Sequence, residues 1–282
     1  RTFNAKAIIL ATGDYAQNAE MTQQLCPDAA HNYMATAIGN TGDGITMALE
    51  AGAVLDEFQE SMSGIFAPDP YAMPVVGQPN NSYPYECLLL NAEGQRPISE
   101  TAGTHDQMIY FIVEGEPDYG WVIMDQEIAD QFLNLDEYLA KTAENNPVIQ
   151  AYKADSIEAL AGQMGMDAAT LQASIDRYNQ MCEAKEDTDC GKEAEYLSPI
   201  DDGTYYAVKE YDLTRGNYGG IVTNEKAEVV NAQGQAIAGL YAAGILSSGA
   251  FFGDYYPGGE ALGVGAYMGY IAGRQAAQTA AE

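Results

Sequence analysis

Two apolar runs stand at opposite ends of the chain. Ala5-Lys6-Ala7-Ile8-Ile9-Leu10-Ala11-Thr12-Gly13 predicts a buried strand that runs into a turn of small residues. Gly239-Leu240-Tyr241-Ala242-Ala243-Gly244 predicts a second short apolar strand ending in glycine. After the first run, Asn18 to Gln24 predicts a short helix broken near Pro27, and Thr41-Gly42-Asp43-Gly44 opens a helix over Ile45 to Ala51 that stops at Gly52. Ala53 to Gln59 reads as a strand. After the second run, Ser247 to Gly259 is a loop rich in glycine and aromatics. The break at Pro257-Gly258-Gly259 then starts a long helix, Glu260 to Ala280, with Ala, Leu, Met and Ile along one face.

Between these ends the pattern is mixed. The stretch 64–84 carries Pro68, Pro70, Pro74, Pro79 and Pro84 and predicts irregular chain. Glu86 to Asn91 reads as a strand followed by a hairpin turn at Asn91 to Arg96. Thr104 to Val113 and Trp121 to Met124 read as two strands or as a helix and a strand. From Asp125 the period becomes helical. Ser156 to Met164 and Asp167 to Glu183 are amphipathic, with Asp155 or Ser156 as the N-cap of the first, Asp167 as that of the second, and Leu171, Ile175 and Tyr178 facing inward. Tyr205 to Val208 and Gly219 to Thr223 predict strands, and Glu225 to Ala238 a hairpin around Asn231-Ala232-Gln233-Gly234.

Composition narrows the function classes. The net charge is −29, from 41 acidic and 12 basic residues, which repels nucleic acid and anionic lipid and disfavours an anionic substrate. No apolar run approaches a membrane span. Cys26, Cys87, Cys182 and Cys190 fit no metal spacing, so no metal is expected; Cys182 and Cys190 either close a loop disulfide or remain free thiols. With only His31 and His105, a histidine zinc site or Ser-His relay is not expected. The chain opens on Arg1, which suggests a fragment or a processed product, and leaves cytoplasm and cell envelope both open as locations.

The ordered set of strand-ATG, TGDGI and GLYAAG, followed by a GG-headed helix, resembles the FAD-binding family of fumarate reductase and succinate dehydrogenase flavoproteins. That family includes flavocytochrome fumarate reductases, urocanate reductases and 3-ketosteroid dehydrogenases. The resemblance covers nearly the whole chain. It implies an α/β fold: a partial Rossmann-like FAD-binding domain built from residues 1–65 and 216–282, with a mixed α+β cap inserted at 66–215. It implies non-covalent FAD, a small-molecule substrate, and an electron-donor domain or protein carrying haem or FMN. The family's upstream GxGxxG strand and turn, which hold the ADP half of FAD, have no counterpart here, so the resemblance implies that this half is missing. Gly263-Val264-Gly265 lies inside the last helix and reads as close packing.

The resemblance also marks residues. Ala11, Thr12 and Gly13 match the family's ATGG turn, with Asp14 in place of its second glycine. Thr41, Gly42 and Asp43 match the turn beside the cofactor. Gly244 matches the end of the last cofactor strand, followed by Ile245 where the family has Glu. Gly259, Glu260, Ala261 and Leu262 match the helix start aimed at the flavin, where unpaired N–H groups favour the negative charge of the reduced ring; Glu260 stands where fumarate reductases have Asn.

The dicarboxylate-binding groups of the family do not carry over. The TExxR window falls on Pro79 to Tyr83, the late histidine region reads Thr214 to Gly220, and Ala129 stands where a proton-donor Arg is expected. Bidentate arginines hold dicarboxylates in such sites, so fumarate and succinate are not expected substrates. Tyr256-Pro257-Gly258-Gly259-Glu260-Ala261 instead resembles the YPGxGxT segment of 3-ketosteroid dehydrogenases. The expected reaction adds or removes hydrogen across a carbon–carbon bond next to a carbonyl. Tyr256 polarises the carbonyl, with Tyr255 and Arg215 as the other catalytic candidates. Phe251, Phe252, Tyr255 and Tyr256 either line an apolar pocket or pack as core. Two rival readings are an aryl-acrylate reductase acting through Arg215 and an inactive flavoprotein fragment. Arg96, in its turn, is expected to be structural.

Overall fold

A computed structural model describes residues 3–62, 65–68, 83–102, 119–252 and 260–281. In chain order the first elements are β1 (Ile8–Leu10), α1 (Ala19–Leu25), β2 (Tyr33–Met34), α2 (Asp43–Glu50), β3 (Glu60–Ser61), β4 (Ile65–Ala67) and β5 (Leu88–Leu90). Then come β6 (Tyr119–Asp125), α3 (Gln126–Ala129), α4 (Leu135–Ala143), β7 (Ala151–Ala154), α5 (Ile157–Met164) and α6 (Ala168–Ala184). The chain closes with β8 (Tyr205–Thr214), β9 (Asn217–Tyr218), β10 (Glu228–Val230), β11 (Ala236–Ala242) and α7 (Glu260–Ala281). Helix starts follow local chemistry. The Asn18, Ser156 and Asp167 side chains accept the N–H groups of Met21, Ala159 and Thr170, giving orphan donors of the first turn a partner.

The chain forms two compact units. The first comprises Arg1–Ala30, Thr36–Met62 and Thr214–Glu282. Its three-stranded sheet has the order β1-β11-β10, with β1 parallel and β10 antiparallel to β11. One core cluster gathers Leu10, Tyr15, Ile45, Ile221, Val229, Ala242 and Leu246; another places Tyr218, Tyr241 and Phe252 beneath Val264, Met268 and Ala272 of α7.

The second unit comprises His31–Ala35 and Ser63–Leu213. β8 is its spine and pairs antiparallel with β6, β7 and β4, while β5 pairs with β6. Leu88, Ile123, Ile128, Leu160, Leu171, Ile175 and Tyr178 form its core. An ion cluster is buried there. The Arg96 guanidinium lies 2.7 Å from Glu100, 2.8 Å from Asp187 and over the Tyr178 ring. Lys192 Nζ donates to Tyr178 Oη (2.7 Å) and to the Cys87 carbonyl (2.8 Å), and lies 3.3 Å from Glu100. Burial pushes the Asp187 carboxyl up. The Arg96 guanidinium and the N–H groups of Cys190 and Lys192 outweigh it and hold the group well below the usual carboxylate range. Arg96 is thus structural, as expected.

Several elements differ from the sequence reading. β1 is short, and Ile8 (54% exposed) and Ile9 (41%) are not buried, because β11 is its only strand partner among the described residues. Ala53 to Gln59 is not a strand: it makes isolated bridges from Ala53 to Asn231 and Leu55 to Ile221, and Asp56 then turns the chain by accepting the Phe58 N–H. Gly219 and Gly220 have positive φ, which breaks the strand expected over Gly219 to Thr223. Asn91 to Arg96 is a turn, closed by the Asn91 N–H on the Gln95 carbonyl, but β5 pairs with the distant β6 and not with the chain just after Arg96. The strand β7 was not expected. Cys182 and Cys190 are free thiols. Thr104 to Val113 and most of 64–84 lie outside the described residues.

Candidate cofactor site

The site lies in the first unit, at one end of its sheet. β1 and β11 run parallel with Ile8 opposite Leu240 and Leu10 opposite Ala242, and the Ala243 N–H donates to the Leu10 carbonyl. Ala11-Thr12-Gly13 and Gly244 therefore leave neighbouring parallel strands at the same end. Beyond the carboxyl ends of parallel strands is where open α/β sheets take their ligands.

The start of α2 nests against this end. The Gly42 N–H donates to the Asp14 carbonyl at 3.1 Å, and Thr41 Oγ1 donates to Asp43 Oδ1 at 3.0 Å. A Cβ on Gly44 would lie 2.0 Å from Thr12 Oγ1, so only glycine lets the two turns meet. Ala11, Thr12 and Asp43 are exposed, Thr41 is half-buried and Gly42 buried. A short 3-10 turn over Gly244–Leu246 packs against α7. In the first turn of α7, Ala261 is half-buried and Leu262 exposed. Glu260 begins that helix.

Asp14 sits at the centre, 4% exposed. Its Oδ1 accepts the Ala16 N–H at 2.9 Å and its Oδ2 accepts the Asn40 amide at 3.0 Å. Burial pushes the carboxyl up to about 6, against the lowering by hydrogen bonds from Ala16, Asn40 and Asn217. A Cβ on Gly216 would lie 2.6 Å from Asp14 Oδ2, so the backbone after Arg215 runs against the same carboxyl.

Of the residues singled out in the sequence, Ala11, Thr12, Gly13, Thr41, Gly42, Asp43 and Gly244 come together here. Arg215 is exposed and its N–H donates to the Met62 carbonyl at 2.8 Å. Phe252 is buried against Tyr218, with ring centroids 5.4 Å apart, so it packs as core, while Phe251 is partly exposed. Tyr255, Tyr256 and Gly259 lie outside the described residues. Asn40 and Gly216 were not anticipated. Their only signal was the Asp in place of the second glycine of the ATGG-like turn, which needs a buried donor beside it.

These residues suit an FAD molecule. The cradle at Thr12 and Gly44 excludes even a methyl group, Gly244 opens onto free space, and positive φ at Gly13, Gly42 and Gly244 turns backbone groups away from the strand direction. Among the described residues no group of three or more His, Cys, Asp or Glu is arranged to hold a metal, and no helix is long and apolar enough to cross a membrane.

Comparison with known proteins agrees with this geometry. Residues 1–262 match the family model described as FAD binding domain. The chain is 31% identical to vinyl phenol reductase of Lactiplantibacillus plantarum over 99% of its own length and 62% of the relative's. It is 29% identical to a fumarate reductase (cytochrome) of Shewanella frigidimarina over 97% of its length and 46% of the relative's. The solved 3-ketosteroid-Δ4-(5α)-dehydrogenase of Rhodococcus jostii, bound to 4-androstene-3,17-dione, superposes with a TM-score of 0.71. That match has 25% identity and covers 96% of this chain and 53% of that one. The chain thus spans about half the length of the curated relatives it matches.

Proposed function

The chain belongs to the FAD-binding family whose model it matches, and from that premise we propose that the protein is an FAD-dependent oxidoreductase acting on carbon–carbon bonds, with a neutral enone or aromatic alkene rather than a dicarboxylate as substrate. The observation that carries the reading is the convergence of the ATG turn, the TGDG turn and the end of β11 at one end of the sheet. FAD supplies two-electron hydride chemistry when bound. Ala11, Thr12, Gly13, Thr41, Gly42, Asp43 and Gly244 would hold it, together with Gly259, Glu260, Ala261 and Leu262 at the head of α7.

In the reducing direction the β-carbon of the double bond gains a hydride and the α-carbon a proton. With an enone, Tyr256 would polarise the carbonyl conjugated to that double bond, with Arg215 or Tyr255 handling the proton. The second unit would serve as the cap, and a haem or FMN partner would deliver electrons. The absence of the TExxR, late-histidine and arginine set argues against fumarate. Vinyl phenol reductase and the ketosteroid dehydrogenase, two of the similar proteins, are named for uncharged substrates.

Steady-state assays of the full-length protein with reduced viologen dye test this. Turnover is expected with 2-cyclohexenone or 4-vinylphenol, and fumarate turnover at least about 100-fold lower, a gap of roughly 3 kcal/mol in the barrier. Fumarate turnover comparable to that of the neutral alkenes would overturn the substrate class.

A further inference from the structure

We propose that Asp14 is a positioning residue for the flavin site: its buried carboxylate is the staple that fixes the ATG turn to the TGDG turn. The inference rests on FAD binding at this end of the sheet, and it concerns a residue at which the chain departs from the glycine of the ATGG pattern.

Three segments meet on this one residue. Its own turn is closed when Oδ1 accepts the Ala16 N–H. The segment leading into α2 is held twice, by the Gly42 N–H on the Asp14 carbonyl and by the Asn40 amide on Oδ2. Asn40 is itself anchored, since its amide also donates to Thr36 Oγ1 at 2.9 Å and its carbonyl accepts the Gln17 N–H at 2.9 Å. The third segment is Gly216-Asn217. Glycine leaves room there for Oδ2, and Asn217 adds a backbone hydrogen bond to the carboxylate. A glycine at position 14 would keep the backbone bond to Gly42 and lose every side-chain bond. In this chain the spacing of Thr12 and Gly13 from Thr41 and Gly42 therefore depends on a carboxylate.

The staple also carries a proton. Ionised, the carboxyl accepts all its N–H donors; protonated, one oxygen becomes a donor facing the Asn40 amide, and the contact to Asn40 must rearrange. Burial brings that change close to neutrality. Other charged or titratable groups on the surrounding segments are Tyr15 in the same turn, Cys26 after α1, Asp43 on α2, Glu60 on β3 and Arg215 beside Gly216.

The test uses the full-length protein, with FAD removed and restored, and reads hydrogen exchange over 11–18 and 39–45 together with FAD affinity from pH 5 to 8. Asp14→Ala is expected to speed exchange in both segments and to weaken FAD binding about tenfold, the loss of roughly one charge-assisted hydrogen bond. Asp14→Asn keeps an acceptor for Ala16, and Asn40 can turn its amide to match. This variant should restore affinity to within about twofold and abolish the change in affinity near pH 6 that is expected of the native protein. Glu60→Gln should leave that profile in place. If Asp14→Ala fails to fold, Asn40→Ala removes the other end of the staple and should give the same exchange and affinity changes. Unchanged exchange over 39–45 in a folded Asp14→Ala or Asn40→Ala protein overturns the proposal. So does a pH profile that follows Glu60 rather than Asp14.

Discussion

Gly220 and Asp14 show what single positions impose on this fold. Gly220 has φ +73°, and a Cβ there would lie 1.9 Å from the Leu246 carbonyl oxygen, which is backbone and cannot swing away. Gly220→Ala should cost about 2–4 kcal/mol in urea unfolding, from the strained φ and from overpacking. For Asp14 the sign runs the other way from most carboxylates. Its folded value lies above that of the unfolded chain, so its own contribution to stability is greatest below about pH 4 and declines as the pH rises to about 6. The decline is about 3 kcal/mol at most, and Asp14→Asn should be the more stable protein by up to that amount at pH 7.5, with the difference vanishing near pH 4. A native protein that is as stable as the variant at pH 7.5 would contradict the burial of the charge. At Tyr256 the substitution to Phe keeps the ring and removes one oxygen. Turnover should fall roughly 10²- to 10⁴-fold with FAD content unchanged, while Tyr255→Phe stays near native; retention of full turnover by Tyr256→Phe and loss in Arg215→Ala would move the proton-handling role to Arg215. The turns that meet at the end of the β1-β11 pair were legible in order along the chain, since glycines announce turns whatever surrounds them. Asn40 and Gly216 were not, because the need for them arises only once a distant carboxylate is folded against them.

Elements with a long, clean period were the easiest to read. α5, α6 and α7 match their expected spans, with caps at Ser156 and Asp167, because an amphipathic stripe and an N-cap are both local properties. Short strands were harder: Ala53 to Gln59 opens on the apolar run Ala53-Val54-Leu55, but whether it pairs is decided by residues such as Asn231 and Ile221 far along the chain. The buried cluster around the 91–96 turn belongs to the same class. Nothing near Lys192 in sequence reveals that its ammonium meets Tyr178, Cys87 and Glu100 inside the second unit. Lys192→Met leaves Glu100 and Asp187 with Arg96 as their remaining cation in that cluster, and should destabilise the unit by about 3–5 kcal/mol. Chemical denaturation followed by Trp121 fluorescence checks this, since Trp121 is the chain's single tryptophan and lies in the core of that unit. A variant as stable as the native protein would mean that the ions are dispensable there.

For the molecule as a whole, the composition sets a strongly acidic surface and the family sets the cofactor. No His, Cys or Tyr stands in an attachment motif, so acid precipitation should release the flavin into the supernatant; flavin retained in the pellet would show a covalent bond. The division into two units comes from how the chain is threaded, with one unit drawn from three separated stretches. That threading has a consequence for how the protein is made. The partner of Ile8 is Leu240, so β1 leaves the ribosome about 230 residues ahead of the strand that holds it. At about 5–20 residues per second the delay is on the order of 10 s or more, far longer than a hairpin needs to close. The stretch Ser63–Leu213 is complete well before then. Its antiparallel ladder can assemble on the emerging chain while Ile8 and Ile9 wait for β11, so β1 is where the newborn polypeptide most needs a chaperone.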